Sequence, residues 1–253
     1  MSSNSDGLPP YQEKPSSTQE TTAPSAHSSR LAYPSRLASS IQTCSISDGY
    51  MDHFSITRVS DLTYHLSLTV DPTPIYRIEL ILGPTKVGNI QIFSASDTTL
   101  PALAAARAST EKRSKKVPVG TICTSSPTEP DAHWRPVFCT KDGYTWLQYS
   151  SEIPVVKVPG RAAKPQTFKW DIWDGEPTRL FWQGPLPLQT RPLHTSAPDS
   201  MPFLFAQVKF EPDDGEHLVQ IRRGGGIDFE LSVILEAFLF SDLSMKDFAL
   251  GGA

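Results

Sequence analysis

Few side chains in this sequence are of a kind and arrangement suited to binding or catalysis. The densest group is a basic run, Lys112, Arg113, Lys115 and Lys116, with Lys86 and Arg107 as further cations of the same class. Cationic side chains on a compact loop can lie over anionic phospholipid, each contributing about 1 kcal/mol near the surface. A solvated turn between two strands is the competing reading. Arg222 and Arg223, followed by Gly224, Gly225 and Gly226, form a second group. Glycine amides beside guanidinium groups can cradle a phosphate. Glycines ahead of a helix also simply make room for the chain to turn. The spacing matches neither a Walker A loop nor a dinucleotide-binding fingerprint.

Nothing in the pattern points to catalysis. His27, His53, His65, His133, His194 and His217 stand singly, with no HxH, HExxH or Cys/His pairing that would hold a metal. There is no Gly-x-Ser-x-Gly elbow, and no cysteine has an adjacent histidine to activate it. The expectation is therefore a protein that is not an enzyme and carries no cofactor. Cys44, Cys123 and Cys139 are an odd set without paired spacing, which suits a reducing compartment and plain packing. A Cys123–Cys139 disulfide is the alternative. The formal net charge of −4 lacks the basic excess that phosphate neutralisation needs, so nucleic-acid binding is not expected.

The first 49 residues differ from the rest. They are crowded with Ser, Thr, Pro and Gln and nearly empty of Leu, Ile, Val and Phe before Leu31. Such a segment cannot bury enough apolar surface to offset its ordering entropy, so residues 1–49 read as a disordered arm. Within it, Leu8-Pro9-Pro10-Tyr11 has the Leu-Pro-x-Tyr form of ligands for WW domains. Proline pre-sets the extended helix that such grooves accept, and Leu8, Pro9 and Tyr11 supply the contacts. No secretory leader or apolar run of about 20 residues is present, so the expectation is a soluble, cytoplasmic protein, peripheral to membranes at most.

Residues 50–253 are long enough for one sizeable core. Alternating apolar and polar residues predict strands over Phe54–Val59, Thr63–Val70, Ile75–Leu82, Val87–Phe93, Val117–Thr124, Trp134–Thr140 and Tyr144–Tyr149. The pattern returns at Phe168–Trp173, Arg179–Trp182, Phe203–Phe210 and His217–Arg222, and Leu100–Ala108 reads as a further strand despite its alanines. On this reading Pro72 and Pro74 end the second strand, and Val70 and Leu82 share an apolar face with their neighbours. Ile153 to Pro165 reads as a proline-punctuated surface loop, and Asp142-Gly143 and Asp174-Gly175 as hairpin turns.

The last regular segment breaks the strand rhythm. Phe229, Leu231, Val233, Ile234, Leu235, Phe238, Leu239 and Phe240 point all round a helical axis, with Asp228 as N-cap and Glu230 as first-turn acid. A helix that is apolar on every side must be buried. One such helix after about 12 strands predicts a mainly β fold: a closed antiparallel barrel wrapped around a buried C-terminal α-helix.

Five segments carry a family resemblance. They are Asp142-Gly143-Tyr144-Thr145-Trp146, Phe168-Lys169-Trp170, Arg179-Leu180-Phe181-Trp182, Phe203 to Val208, and Asp228 to Leu235. Together they resemble the tubby C-terminal-like superfamily, which includes phospholipid scramblases and LURP-one-related proteins, and in particular its small fungal members. The resemblance implies the same helix-filled barrel and a phospholipid head-group ligand bound through surface cations. No segment matches the tubby lipid-binding motif residue by residue, so Lys112, Arg113, Lys115 and Lys116 are proposed for that role on charge alone. The alternative function is a protein-interaction adaptor recruited through the N-terminal arm.

Overall fold

A computed structural model describes residues 46, 50–82, 89–109, 117–142, 146–173, 176–183, 204–209 and 217–250. Twelve strands follow one another: Met51–Ser60 (β1), Thr63–Leu68 (β2), Asp71–Leu80 (β3), Ile90–Ser94 (β4), Ala104–Ala108 (β5) and Pro118–Cys123 (β6). The second half comprises Arg135–Asp142 (β7), Trp146–Val155 (β8), Lys164–Trp173 (β9), Thr178–Trp182 (β10), Leu204–Lys209 (β11) and His217–Arg222 (β12). Each strand pairs antiparallel with the next, and β1 closes the ring on β12 through pairs such as Phe54↔Val219. Closure leaves no free sheet edge. The helix α1, Ile227–Leu250, then enters the barrel. The expected fold class is the observed one.

Alternation along the strands divides inside from outside. Phe54, Leu66, Tyr76, Ile78, Ile92, Tyr149, Phe168, Trp170, Phe205 and Val219 are fully or almost fully buried and face the axis. All eight large apolar residues expected to surround the helix are buried. Each contributes about 1.5–3 kcal/mol before entropy is counted. Side-chain size sets where the helix lies. It runs closest to β4, β5, β6 and β8, where Ala104, Ala106 and Gly120 let it approach. A Cβ on Gly120 would lie 2.7 Å from the Arg107 carbonyl and 2.8 Å from Leu239 Cδ2. Aromatic rings fill the opposite side, with Phe229 meeting Phe168 at 5.6 Å and Phe205 at 6.4 Å. Ile46, ahead of β1, is also buried in this core.

Several local expectations need correcting. Pro72 and Pro74 do not end a strand but begin β3. They are exposed there, because β4 joins β3 only from Tyr76 onward, and the first residues of a strand, still without a neighbour on that side, tolerate a missing N–H. Val70 and Leu82 lie outside the strands and are 89% and 80% exposed. The stretch from Ile153 to Pro165 is not all loop. β8 continues to Val155 and β9 starts at Lys164, with Pro154 opposite Pro165. Of Leu100–Ala108, only Ala104–Ala108 is strand. Asp228 is not the N-cap, since Glu230 N already bonds to Gly226 O and places Asp228 inside the first turn. Gly224 and Gly226 take φ values of 94° and 86°, a region in which glycine is not penalised.

Among the described residues no helix is long and apolar enough to cross a membrane. The barrel wall is the reverse of a transmembrane barrel, which keeps polar groups inside and an apolar band outside. Here Arg77, Glu79, Lys169, Asp171 and Arg179 alternate outward along strands whose inner residues are apolar.

Candidate functional site

The predicted lipid-binding residues Lys112, Arg113, Lys115 and Lys116 lie outside the described residues, as do Lys86 and the arm motif Leu8, Pro9 and Tyr11. Arg107 is described and sits on β5 with its guanidinium 3.6 Å from the centre of the Trp134 ring. Arg222 and Arg223 are both buried. Arg222 donates to the Leu204 carbonyl at 3.1 Å. Gly225 is packed so closely that a Cβ there would lie 2.6 Å from the Phe229 ring. Of the two readings of this segment, the structure supports making room for the helix.

Arg223 instead belongs to a polar clamp inside the barrel. Its guanidinium reaches Glu230 Oε2 at 2.5 Å and also pairs with Asp52 of β1. The Tyr76 hydroxyl of β3 donates to the other Glu230 oxygen at 2.6 Å. Burial raises the Glu230 pKa, while Arg223 and Tyr76 oppose the rise. A second clamp lies roughly 200–240° further round the helix. There Arg135 of β7 donates to Ser232 Oγ at 2.7 Å and to the Glu152 carbonyl, and the Trp170 indole of β9 donates to Glu236 Oε2. The two clamps fix the rotation and depth of a helix whose apolar faces alone would tolerate slippage. These residues were missed in the sequence because their partners lie on strands far away along the chain.

With the axis occupied, chemistry toward a partner falls to the surface. Topology defines two ends of the barrel: α1 enters at one, and the β1–β2, β7–β8 and β9–β10 connections lie at the other. At this distal rim Trp146 opens β8 and Trp173 closes β9, directly opposite each other in register. Their rings stack at 4.8 Å and 9°. Lys141, exposed near the end of β7, holds its ammonium 3.5 Å from the centre of the Trp146 ring. Two bodies cannot share one ring face at those distances, so Lys141 and Trp173 sandwich Trp146. The outermost ring, Trp173, remains 43% exposed. Leu62 and Leu82 also reach solvent at this end, at the β1–β2 turn and after β3. The tryptophan pair was legible only as two separate strand residues, since stacking depends on register.

Cys123 and Cys139 are buried and not joined in a disulfide. The β6–β7 register pairs Ile122 with Arg135 and Pro118 with Phe138, which puts the two thiols at opposite ends of that ladder. A disulfide between them is ruled out by geometry. Among the described residues no three His, Cys, Asp or Glu side chains group as metal ligands would. No family model, curated protein or solved structure matches the chain.

Proposed function

We propose that this chain is a non-catalytic, tubby-like barrel that binds anionic phospholipid head groups at a membrane surface. The observation that carries this reading is the Lys141–Trp146–Trp173 stack at the distal rim. Tryptophan has an apolar body and a polar N–H, the combination that settles at the head-group level of a bilayer. An ammonium beside it meets the negative surface of an anionic leaflet. Leu62, in the β1–β2 turn, and Leu82, just after β3, lie about half-way round a ring of twelve strands from β8 and β9. A flat surface meeting the rim end-on would touch both groups. β5 ends and β6 begins at this same rim, and Lys112, Arg113, Lys115 and Lys116 fall between them in sequence. The proposal assigns them a supporting electrostatic role.

Flotation of the full chain with phosphatidylcholine vesicles, with and without phosphoinositide, tests the reading. The expected result is anionic-lipid-dependent flotation that falls several-fold in Lys141→Ala and Trp173→Ala. Adding alanine at Lys112, Arg113, Lys115 and Lys116 should lower it further. A wild-type chain that stays at the bottom of the gradient with both vesicle types would refute it.

A further inference from the structure

The second interior clamp is incomplete in a specific way. Ser232 and Glu236 lie one turn apart on the same side of α1, facing the wall made by β7, β8 and β9. Arg135 spends its guanidinium on Ser232 Oγ and on the Glu152 carbonyl, and Ser232 Oγ in turn donates to the Asp228 carbonyl at 2.6 Å. Glu236 is fully buried and accepts the Trp170 indole N–H on Oε2. Among the described residues no hydrogen bond of ordinary geometry reaches its Oε1 or the buried Ser151 hydroxyl of β8. That hydroxyl is nevertheless near enough to act on the carboxyl group.

The groups facing Glu236 are therefore Arg135 from β7, Ser151 from β8 and Trp170 from β9. Only Arg135 is charged, and it is bonded elsewhere. An ionised carboxylate with one indole and no touching cation is costly in such a setting. Burial pushes the Glu236 carboxyl up to about 7, with Ser151, Trp170 and Arg135 pulling it down. Burial also lowers the Arg135 pKa, against the attraction of Glu236, Asp228, Cys123 of β6 and Glu152.

We propose that Glu236 is a proton-binding site of the folded barrel, neutral while Arg135 rests on Ser232, and that losing the proton draws Arg135 one helical turn along α1 onto Glu236. The arrangement has the parts such a device needs. One cation stands between two alternative acceptors about one turn apart, and one of those acceptors changes charge. The proton leaves to solvent, and the new Arg135–Glu236 ion pair replaces the Arg135–Ser232 hydrogen bond. Near neutral pH the barrel would then hold its helix in two interconverting polar registers.

The indole N–H of Trp170 is a local reporter, because it bonds to the titrating carboxyl. In ¹⁵N-labelled full-length protein its resonance should titrate with a midpoint near pH 7, and Glu236→Gln should flatten it. Ser151→Ala removes a group that favours the anion, so the midpoint should rise; it also keeps the test informative should the glutamine variant fail to fold. Ser232→Ala removes the resting place of Arg135, so the midpoint should fall. A Trp170 signal that is flat from pH 5 to 9 in wild type, or that still titrates in Glu236→Gln, overturns the proton site. An unmoved midpoint in Ser232→Ala overturns the arginine transfer.

Discussion

Replacing Arg223 with methionine should destabilise the barrel strongly at neutral pH and mildly in acid. The substitution keeps apolar volume but removes the cation that, among the described residues, pairs with Glu230, leaving it the Tyr76 hydroxyl. Stripping one partner from a buried pair costs about 3–5 kcal/mol. Glu230 has one escape, which is to take up a proton. For a carboxyl of ordinary pKa that costs about 4 kcal/mol at pH 7 and about 1 kcal/mol at pH 5. The loss should therefore be capped at about 3–4 kcal/mol at pH 7 and shrink to about 1–2 kcal/mol at pH 5. Denaturant unfolding followed by near-UV circular dichroism at both pH values measures it. Adding Glu230→Gln to Arg223→Met should recover stability to within about 1–2 kcal/mol of wild type, because the fully buried charge has gone and only the partly exposed Asp52 is left without its cation. A single variant that loses under about 1 kcal/mol at pH 7, or a double variant whose loss is the sum of its parts, would refute the clamp.

The Glu236 carboxyl is raised in the folded state, so its stabilisation is complete below its unfolded pKa of about 4.5 and is lost as pH climbs through about 7. The difference of about 2.5 pH units at about 1.4 kcal/mol each makes the wild type about 3 kcal/mol less stable at pH 8 than this group allows at pH 4, and Glu236→Gln should remove that slope in thermal melts. Gly120→Ala should cost about 1–3 kcal/mol, since the added methyl meets both the Arg107 carbonyl and Leu239. Gly160→Ala, with nothing within 4 Å but a φ of 76°, should cost only about 1 kcal/mol of backbone strain. Retention of the full chain by immobilised WW domains, lost in Tyr11→Ala, is the result expected of the Leu8-Pro9-Pro10-Tyr11 motif, and equal retention of both proteins would remove it.

The barrel was readable because its logic is local. Strand alternation and an all-round apolar helix are properties of short windows, and closure follows from the need to cover residues such as Val233 and Leu235 on every side. What escaped was set by register and by distance along the chain. Glu230 looked like an ordinary first-turn acid, yet Tyr76 lies 154 residues away and Asp52 reaches it only through Arg223. The role of Glu236 left no local sign, because its indole partner is 66 residues upstream. Pro72, Pro74, Pro154 and Pro165 misled for the opposite reason. Proline reads as a strand breaker in isolation, whereas at strand ends its missing N–H costs little. Trp173 gave no sign of being a surface ring, since only the pairing of β8 with β9 sets it on Trp146.

Tryptophan depth is the most direct test of the distal rim as the lipid-facing surface. The chain has five tryptophans, and Trp170 and Trp182 are buried in the barrel. Emission should be read on anionic vesicles whose lipids carry bromine near the head group. Quenching of wild-type emission, abolished in Trp146→Phe/Trp173→Phe, is expected if the rim meets the bilayer. Quenching that survives the double substitution would place the membrane against another part of the barrel, and absence of quenching in wild type would mean that the rim does not meet a bilayer at all.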